Sequence, residues 1–133
     1  MIRVLIVDDS LLARNAIQRA LEQDPEVQVV GLAANGEEAL EKIAELSPAV
    51  MTCDMEMPVM DGVQTLMQVR RQYPKIKVIV LSSITQPNST KEQICRNLGA
   101  YAVMAKPVKQ SNLNAITDGS ELLQHIRRSA GLA

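Results

Sequence analysis

The fold is decided near the N-terminus by Ile2-Arg-Val-Leu-Ile-Val-Asp-Asp-Ser10. Within it, Arg3–Val7 is β-branched and apolar on both faces, which is the pattern of a strand covered on both sides. Apolar residues then recur with helical spacing at Leu11, Leu12, Ala16, Ala20 and Leu21. The first strand is therefore predicted to pass into a helix at Asp9-Ser10, the strand–helix unit from which an α/β fold is built.

The same alternation of strand and helix continues to the C-terminus. Further strands are predicted at Val27–Ala34, Ala49–Cys53, Ile76–Leu81 and Tyr101–Met104. Two further helices are predicted at Glu37–Leu46 and Gly62–Gln72. A third begins at the capping-box pattern Ser89-Thr-Lys-Glu92 and ends at Gly99. The last helix is predicted at about 119–130, where Asp118-Gly-Ser-Glu121 resembles a second capping arrangement. Lys109–Thr117 is predicted to be a loop or a frayed first turn. Five such strands predict a parallel sheet wound with helices on both sides.

Composition restricts the protein to one domain with a local site. The chain has 133 residues, 47% of them hydrophobic, and a formal net charge of −1. That charge provides no general attraction to nucleic acid or to an anionic membrane, and no apolar run is long enough for a membrane helix. Cys53 and Cys95 lie far apart, which suits neither a disulfide framework nor a zinc site, so a reducing cytoplasm is the expected location.

Polar residues follow the predicted strands where each one ends. They are Asp8-Asp9, Asp54, Ser82-Ser83 and Lys106-Pro107. In sheets of this kind, ligands bind beyond the carboxyl ends of the strands. Three carboxylates brought together repel one another, and a hard divalent cation such as Mg²⁺ resolves that repulsion. Taken singly, Asp8 or Asp9 could cap the first helix, as Ser10 also could, and Asp54 could open a turn. The convergence of all these groups favours a functional site.

Four segments resemble the motifs of response-regulator receiver domains, in order and at the right intervals. They are Ile2-Arg-Val-Leu-Ile-Val-Asp-Asp-Ser10, Asp54-Met-Glu-Met-Pro-Val-Met-Asp-Gly62, Leu81-Ser-Ser83 and Ala105-Lys-Pro107. Within that family, Leu81-Ser-Ser-Ile-Thr-Gln86 and the long stretch before the last helix resemble the receiver of the chemotaxis protein-glutamate methylesterase. The resemblance implies a flavodoxin-like (βα)5 fold with strand order 2-1-3-4-5, as a single receiver domain over residues 1–133.

The resemblance also implies the roles of the site residues. Asp54 is expected to be the phosphoacceptor, with Ser82 and Lys106 contacting the phosphoryl group. Mg²⁺, or Mn²⁺ in its place, is expected to bind Asp8, Asp9, Asp54 and the backbone carbonyl of Glu56, with Asp9 as a more direct ligand than Asp8. The family usually has a cis bond between Lys106 and Pro107.

The expected partners follow from the same family. The phosphoryl donor would be a phosphohistidine of a sensor histidine kinase or phosphotransfer protein, or a small acyl phosphate. No substrate turnover is expected from this chain alone beyond self-phosphotransfer and autodephosphorylation. The output surface would be the fourth helix, fifth strand and last helix, contacted by an effector domain of methylesterase type, a partner protein or a second copy of the chain. Neither nucleic acid nor a membrane is an expected direct partner.

The sequence departs from the family at a residue that usually takes part in transmitting the signal. Receivers usually place an aromatic residue three positions before the lysine, and this chain has Val103 there. Valine has one stiff χ1 and no ring to turn inward, so Tyr101 is the candidate substitute and loop movement around Ser82 the expected readout.

Two alternative functions remain open on sequence grounds. A haloacid-dehalogenase-type phosphatase also uses an aspartate nucleophile and Mg²⁺, but it places Asp-x-Asp on its first strand. A receiver that binds a partner without being phosphorylated is the other. Cys53 is expected to be a buried packing residue, and His125 a solvated surface residue.

Overall fold

The computed structural model describes residues 1–82, 90–106, 108–109, 112–116 and 119–132. Five parallel strands form the main sheet in the order β2-β1-β3-β4-β5. They are β1 (Ile2–Val7), β2 (Val27–Ala33), β3 (Val50–Asp54), β4 (Lys77–Ser82) and β5 (Ala102–Ala105). The helices are α1 (Leu11–Leu21), α2 (Gly36–Leu46), α3 (Gly62–Gln72), α4 (Thr90–Asn97) and α5 (Ser120–Ser129). The predicted fold class and strand order are confirmed.

Two hydrophobic cores cover the two faces of this sheet. The first joins alternate residues of β1 and β4, such as Val4 and Leu81, to the buried faces of α1 and α5. The second joins the intervening residues, such as Leu5 and Val80, to α2, α3 and α4. Because successive strand residues point to opposite faces, a strand buried on both sides must be apolar throughout. This is why the central strands are continuous apolar runs.

The helices begin where short polar side chains can cap them. Ser10 accepts a hydrogen bond from the Ala13 N–H and caps α1, and Asn35 caps α2 in the same way. Asp61 and Gln64 form a reciprocal capping box at α3. The three capping residues themselves have extended backbone, so each of these helices begins directly after its cap.

The prediction for Lys109–Thr117 was wrong. A second, two-stranded antiparallel sheet occupies much of this segment, formed by β6 (Val108–Lys109) and β7 (Asn112–Ile116). The alternation in Asn-Leu-Asn-Ala-Ile is a strand pattern, but it is short and half polar, which weakens the signal. The short hairpin lies beside α1.

Smaller differences concern the ends of elements. β3 extends to Asp54, one residue beyond the prediction, and β5 begins at Ala102, so Tyr101 precedes it. Gly119 occupies the N-cap position of α5 and makes no side-chain capping hydrogen bond. Ser89 and Asp118, which begin the two predicted capping patterns, lie outside the described residues. Gly99, with φ +99°, follows α4 as predicted. Among the described residues, no helix is long and apolar enough to cross a membrane.

Candidate functional site

Four strand ends meet at one edge of the sheet. Val7 pairs with Cys53, Asp54 with Leu81, and Ser82 with Ala105. Since neighbouring strands are parallel, the residues that follow or end them lie side by side: Asp8 after β1, Asp54 and Ser82 at the ends of β3 and β4, and Lys106 after β5. The site predicted at this edge is therefore assembled from four strands.

Three carboxylates form the acidic part of this site. One oxygen from each of Asp8, Asp9 and Asp54 lies within 4.8 Å of the others. Asp8 and Asp54 are 0% and 2% exposed, whereas Asp9 is exposed to solvent. The two buried acids need a compensating positive charge, and the exposed one leaves the cluster open on one side.

Lys106, the residue after β5, supplies that charge. Its Nζ lies 2.9 Å from Asp8 Oδ2 and 3.2 Å from Asp54 Oδ2, and its backbone N–H donates to the Ser82 carbonyl at 2.9 Å. Burial acts to lower the pKa of Lys106, but the adjacent carboxylates outweigh burial and hold its pKa above the ordinary value. The side chain is therefore an ammonium ion that bridges two carboxylates.

Asp54 is the acid whose ionisation is most affected by this setting. Burial, and then the charge of Asp8, raise the pKa of Asp54 to about 7, against the opposing effect of Lys106. The backbone N–H of Glu56 donates to Asp54 Oδ1 at 3.3 Å and favours the ionised form. Near neutral pH, the Asp54 carboxyl group is thus partly protonated and partly ionised, and the ionised form is the nucleophile.

Asp8 is held by contacts on its carboxylate and on its backbone. Oδ1 accepts from the Ser10 N–H at 2.9 Å, and the carbonyl oxygen accepts from Arg14 Nη1 at 2.7 Å. Sequence reasoning did not identify Arg14. The available signal is its place as the fourth residue of α1, because a cation near a helix N-terminus opposes the helix dipole and suggests a specific partner.

The loop after Asp54 packs tightly beneath the site. The Gly62 N–H donates to the Met55 carbonyl at 3.0 Å, and a β-carbon at Gly62 would lie 2.5 Å from the Asp54 carbonyl oxygen. Only glycine fits this approach. Earlier in the same loop, Glu56 forms an ion pair of 2.8 Å with Lys91 of α4, a contact that sequence reasoning also missed.

The other residues singled out from the sequence fall in different places. Ser82 is buried at the end of β4, beside the acids. Val103 is half-buried against the second core, while Tyr101 is 39% exposed before β5 begins. Cys53 is buried, and burial followed by the charge of Asp54 raises the pKa of its thiol far above the usual range, as expected for a packing residue. Ser83 and Pro107, and with Pro107 the expected cis bond, lie outside the described residues.

The donor set fits a hard divalent cation. Mg²⁺ prefers oxygen ligands and commonly uses one or two carboxylates together with water and phosphate oxygens. The acid cluster offers three carboxylates, one of them at the surface where water reaches it. The described part of the cluster has no thiol or imidazole that would select a softer metal.

The fold and the acidic site match a family of signalling domains. The model of the response regulator receiver domain matches residues 4–118. The chain belongs to the response regulator receiver family, and this assignment decides against the haloacid-dehalogenase alternative.

Several curated relatives of the chain are protein-glutamate methylesterases. The chain is 43% identical over 129 residues to a protein-glutamate methylesterase/protein-glutamine glutaminase of Carboxydothermus hydrogenoformans, covering 97% of this chain and 36% of that protein. It is similar to the response regulator domain of Thermotoga maritima CheB, with 34% identity and a TM-score of 0.87 over 100% of this chain and 98% of that one. The predicted likeness to methylesterase receivers is confirmed. The chain spans about a third of the curated relatives that it matches.

A receiver solved with a phosphoryl mimic has a similar fold. The CheX–CheY–BeF3–Mg²⁺ complex from Borrelia burgdorferi contains a chain that is 26% identical to this one, with a TM-score of 0.80 over 96% of this chain and 87% of that one.

Proposed function

We propose that this single receiver domain takes a phosphoryl group on Asp54 and thereby switches a downstream partner. The observation that supports this most is the pairing of Asp54 with Lys106 inside the acid cluster. A carboxylate nucleophile beside a fixed ammonium suits phosphoryl transfer, where catalysis consists mainly of positioning and electrostatic stabilisation.

The transfer is an exchange of one bond to phosphorus for another. An Asp54 carboxylate oxygen attacks the phosphorus of a kinase or phosphotransfer-protein phosphohistidine, the phosphorus–nitrogen bond breaks, and the imidazole nitrogen retains the electron pair and is protonated. Lys106 stabilises charge on the phosphoryl oxygens, and Ser82 donates to one of them. Later, water attacks the phosphorus, phosphate leaves, and the Asp54 carboxylate is restored.

The metal proposed for this site is Mg²⁺. Asp8, Asp9, Asp54 and the Glu56 backbone carbonyl would hold it, and it would neutralise the acids together with the incoming phosphoryl oxygens. The composition of the Borrelia complex, with BeF3 and Mg²⁺, supports this choice. The two ion pairs of Lys106 are consistent with this proposal, because they place a positive charge against the same carboxylates.

The signal is proposed to leave through α4, β5 and α5. On Asp54, a phosphoryl group carrying roughly −1.5 to −2 charges replaces the single carboxylate charge, and its oxygens draw Ser82 and the chain after β4 toward Asp54. Since Val103 has no ring to rotate and Tyr101 is partly exposed, the change travels by backbone movement more than by an aromatic flip. The partner that contacts this surface is proposed to be a methylesterase-type effector domain, since the curated relatives are methylesterases that extend well beyond the matched segment, or a second copy of the chain.

Intact mass measurement tests the proposal. Wild type incubated with acetyl phosphate and Mg²⁺ should gain one phosphoryl group, and chelator should abolish the gain. Asp54→Asn removes the nucleophile while keeping the shape of the side chain and should gain none, whereas Asp24→Asn, far from the acid cluster, should be labelled like wild type. Efficient labelling of Asp54→Asn would refute the assignment.

A further inference from the structure

We propose that Arg14 is a positioning residue for the metal site, acting on the backbone between the two N-terminal acids. The inference deepens the proposed function, because it rests on Asp8 and Asp9 forming a cation site. Arg14 touches neither phosphoryl group nor metal in this account; it orients groups that do.

The decisive contact is made with a backbone carbonyl. Arg14 Nη1 donates to the Asp8 carbonyl oxygen at 2.7 Å, from a half-buried position on α1. That carbonyl belongs to the peptide unit joining Asp8 to Asp9. Since the peptide unit is planar, fixing its oxygen also fixes the direction in which the Asp9 backbone leaves it.

Asp9 depends on this restraint more than Asp8 does. Asp8 is fully buried, and Ser10 and Lys106 each contact one of its carboxylate oxygens, so its side chain is oriented without Arg14. Asp9 is exposed, yet one of its oxygens reaches the cluster with Asp8 and Asp54. An exposed side chain keeps its direction chiefly through its backbone, and the Arg14 hydrogen bond holds that backbone.

A purely electrostatic role and a positioning role for Arg14 predict opposite changes in Mg²⁺ affinity. A guanidinium near the acids repels an incoming divalent cation, so a purely electrostatic role would make Mg²⁺ bind more tightly once Arg14 is neutral. A positioning role makes Mg²⁺ bind more weakly. Groups that orient metal ligands typically change metal affinity by about 10- to 100-fold when removed.

Calorimetric titration of Mg²⁺ distinguishes these roles without measuring phosphorylation. Arg14→Met should weaken Mg²⁺ binding about 10-fold. Arg14→Lys, which retains a donor on a flexible stem, should fall between Arg14→Met and wild type. Arg19→Met is the matched control, since it removes the same group from an exposed position on the same helix, and it should bind within about twofold of wild type.

Circular dichroism without Mg²⁺ shows whether each variant is folded. If Arg14→Met unfolds, the comparison of Arg14→Lys with wild type decides, and reduced affinity is the supporting result. Unchanged or tighter Mg²⁺ binding in the folded variants would overturn the role of Arg14 while leaving the metal site intact. Absence of Mg²⁺ binding in wild type would overturn the metal site, and this inference with it.

Discussion

Lys106 Nζ lies 3.2 Å from Asp54 Oδ2, so the proposed phosphoacceptor is paired with an ammonium group of its own chain. The same ammonium lies 2.9 Å from Asp8. One positive charge thus serves two buried acids, and the site holds an excess of negative charge. A divalent cation would correct this excess, and a phosphoryl group would contact the ammonium.

Removing the ammonium should destabilise the metal-free protein. Lys106→Met leaves Asp8 and Asp54 without their charge partner, and breaking a buried pair costs on the order of 3 kcal/mol. Urea unfolding with chelator present should show the loss, and Mg²⁺ should restore more stability to this variant than to wild type. Labelling by acetyl phosphate should be slow, but Mg²⁺ affinity should be higher than in wild type, because no ammonium then competes for the carboxylates. Equal stability of the two proteins would contradict the pairing.

The raised pKa of Asp54 predicts how stability depends on pH. The folded-state pKa is about 7, whereas an unfolded aspartate titrates near 3.9. The folded protein therefore holds this proton more tightly, and the resulting stability is complete below the unfolded pKa and lost as pH rises through about 7. Metal-free wild type should lose stability relative to Asp54→Asn between weakly acidic and weakly alkaline pH. Parallel urea-unfolding profiles for the two proteins would show that Asp54 titrates normally.

The two N-terminal acids should differ in their effect on Mg²⁺. Ser10 and Lys106 contact Asp8, while Asp9 is exposed at the open side of the cluster. Asp9→Ala should therefore weaken Mg²⁺ binding more than Asp8→Ala does, and calorimetry at one pH measures both. Equal losses would mean that the two acids do not have the separate roles proposed.

A buried hydroxyl below the site gives a prediction about stability alone. Thr52 is fully buried on β3, and its Oγ1 has no hydrogen-bond partner within the described part of the chain. Thr52→Val keeps the shape and removes the unsatisfied group, so it should stabilise the protein by about 1 kcal/mol. Asp54 labelling should be unchanged. Destabilisation in urea unfolding would show that the hydroxyl has a partner, such as a buried water.

Sequence patterns predicted the parts of the fold that depend on burial and helix caps. The central strands are largely apolar runs, and α3 was predicted at its observed limits, where the structure shows a capping box formed by Asp61 and Gln64. The hairpin of β6 and β7 was missed because its strands are short and partly polar. Asp8, Asp54, Ser82 and Lys106 could be placed together because parallel strands end at one edge. The position of Arg14 in the first turn of α1 suggests a partner without identifying it, and the contact of Glu56 with Lys91 across 35 residues depends on packing that no local pattern records.

Chemical trapping of the phosphorylated residue tests the central claim most directly. Borohydride reduces an aspartyl phosphate to homoserine, so peptide mass spectrometry after treatment with acetyl phosphate and Mg²⁺ locates the acceptor. We expect homoserine in place of Asp54, with Asp8 and Asp9 unchanged and no conversion in the presence of chelator. Homoserine in place of Asp8 or Asp9, or a phosphoryl group that survives borohydride on another residue, would contradict it.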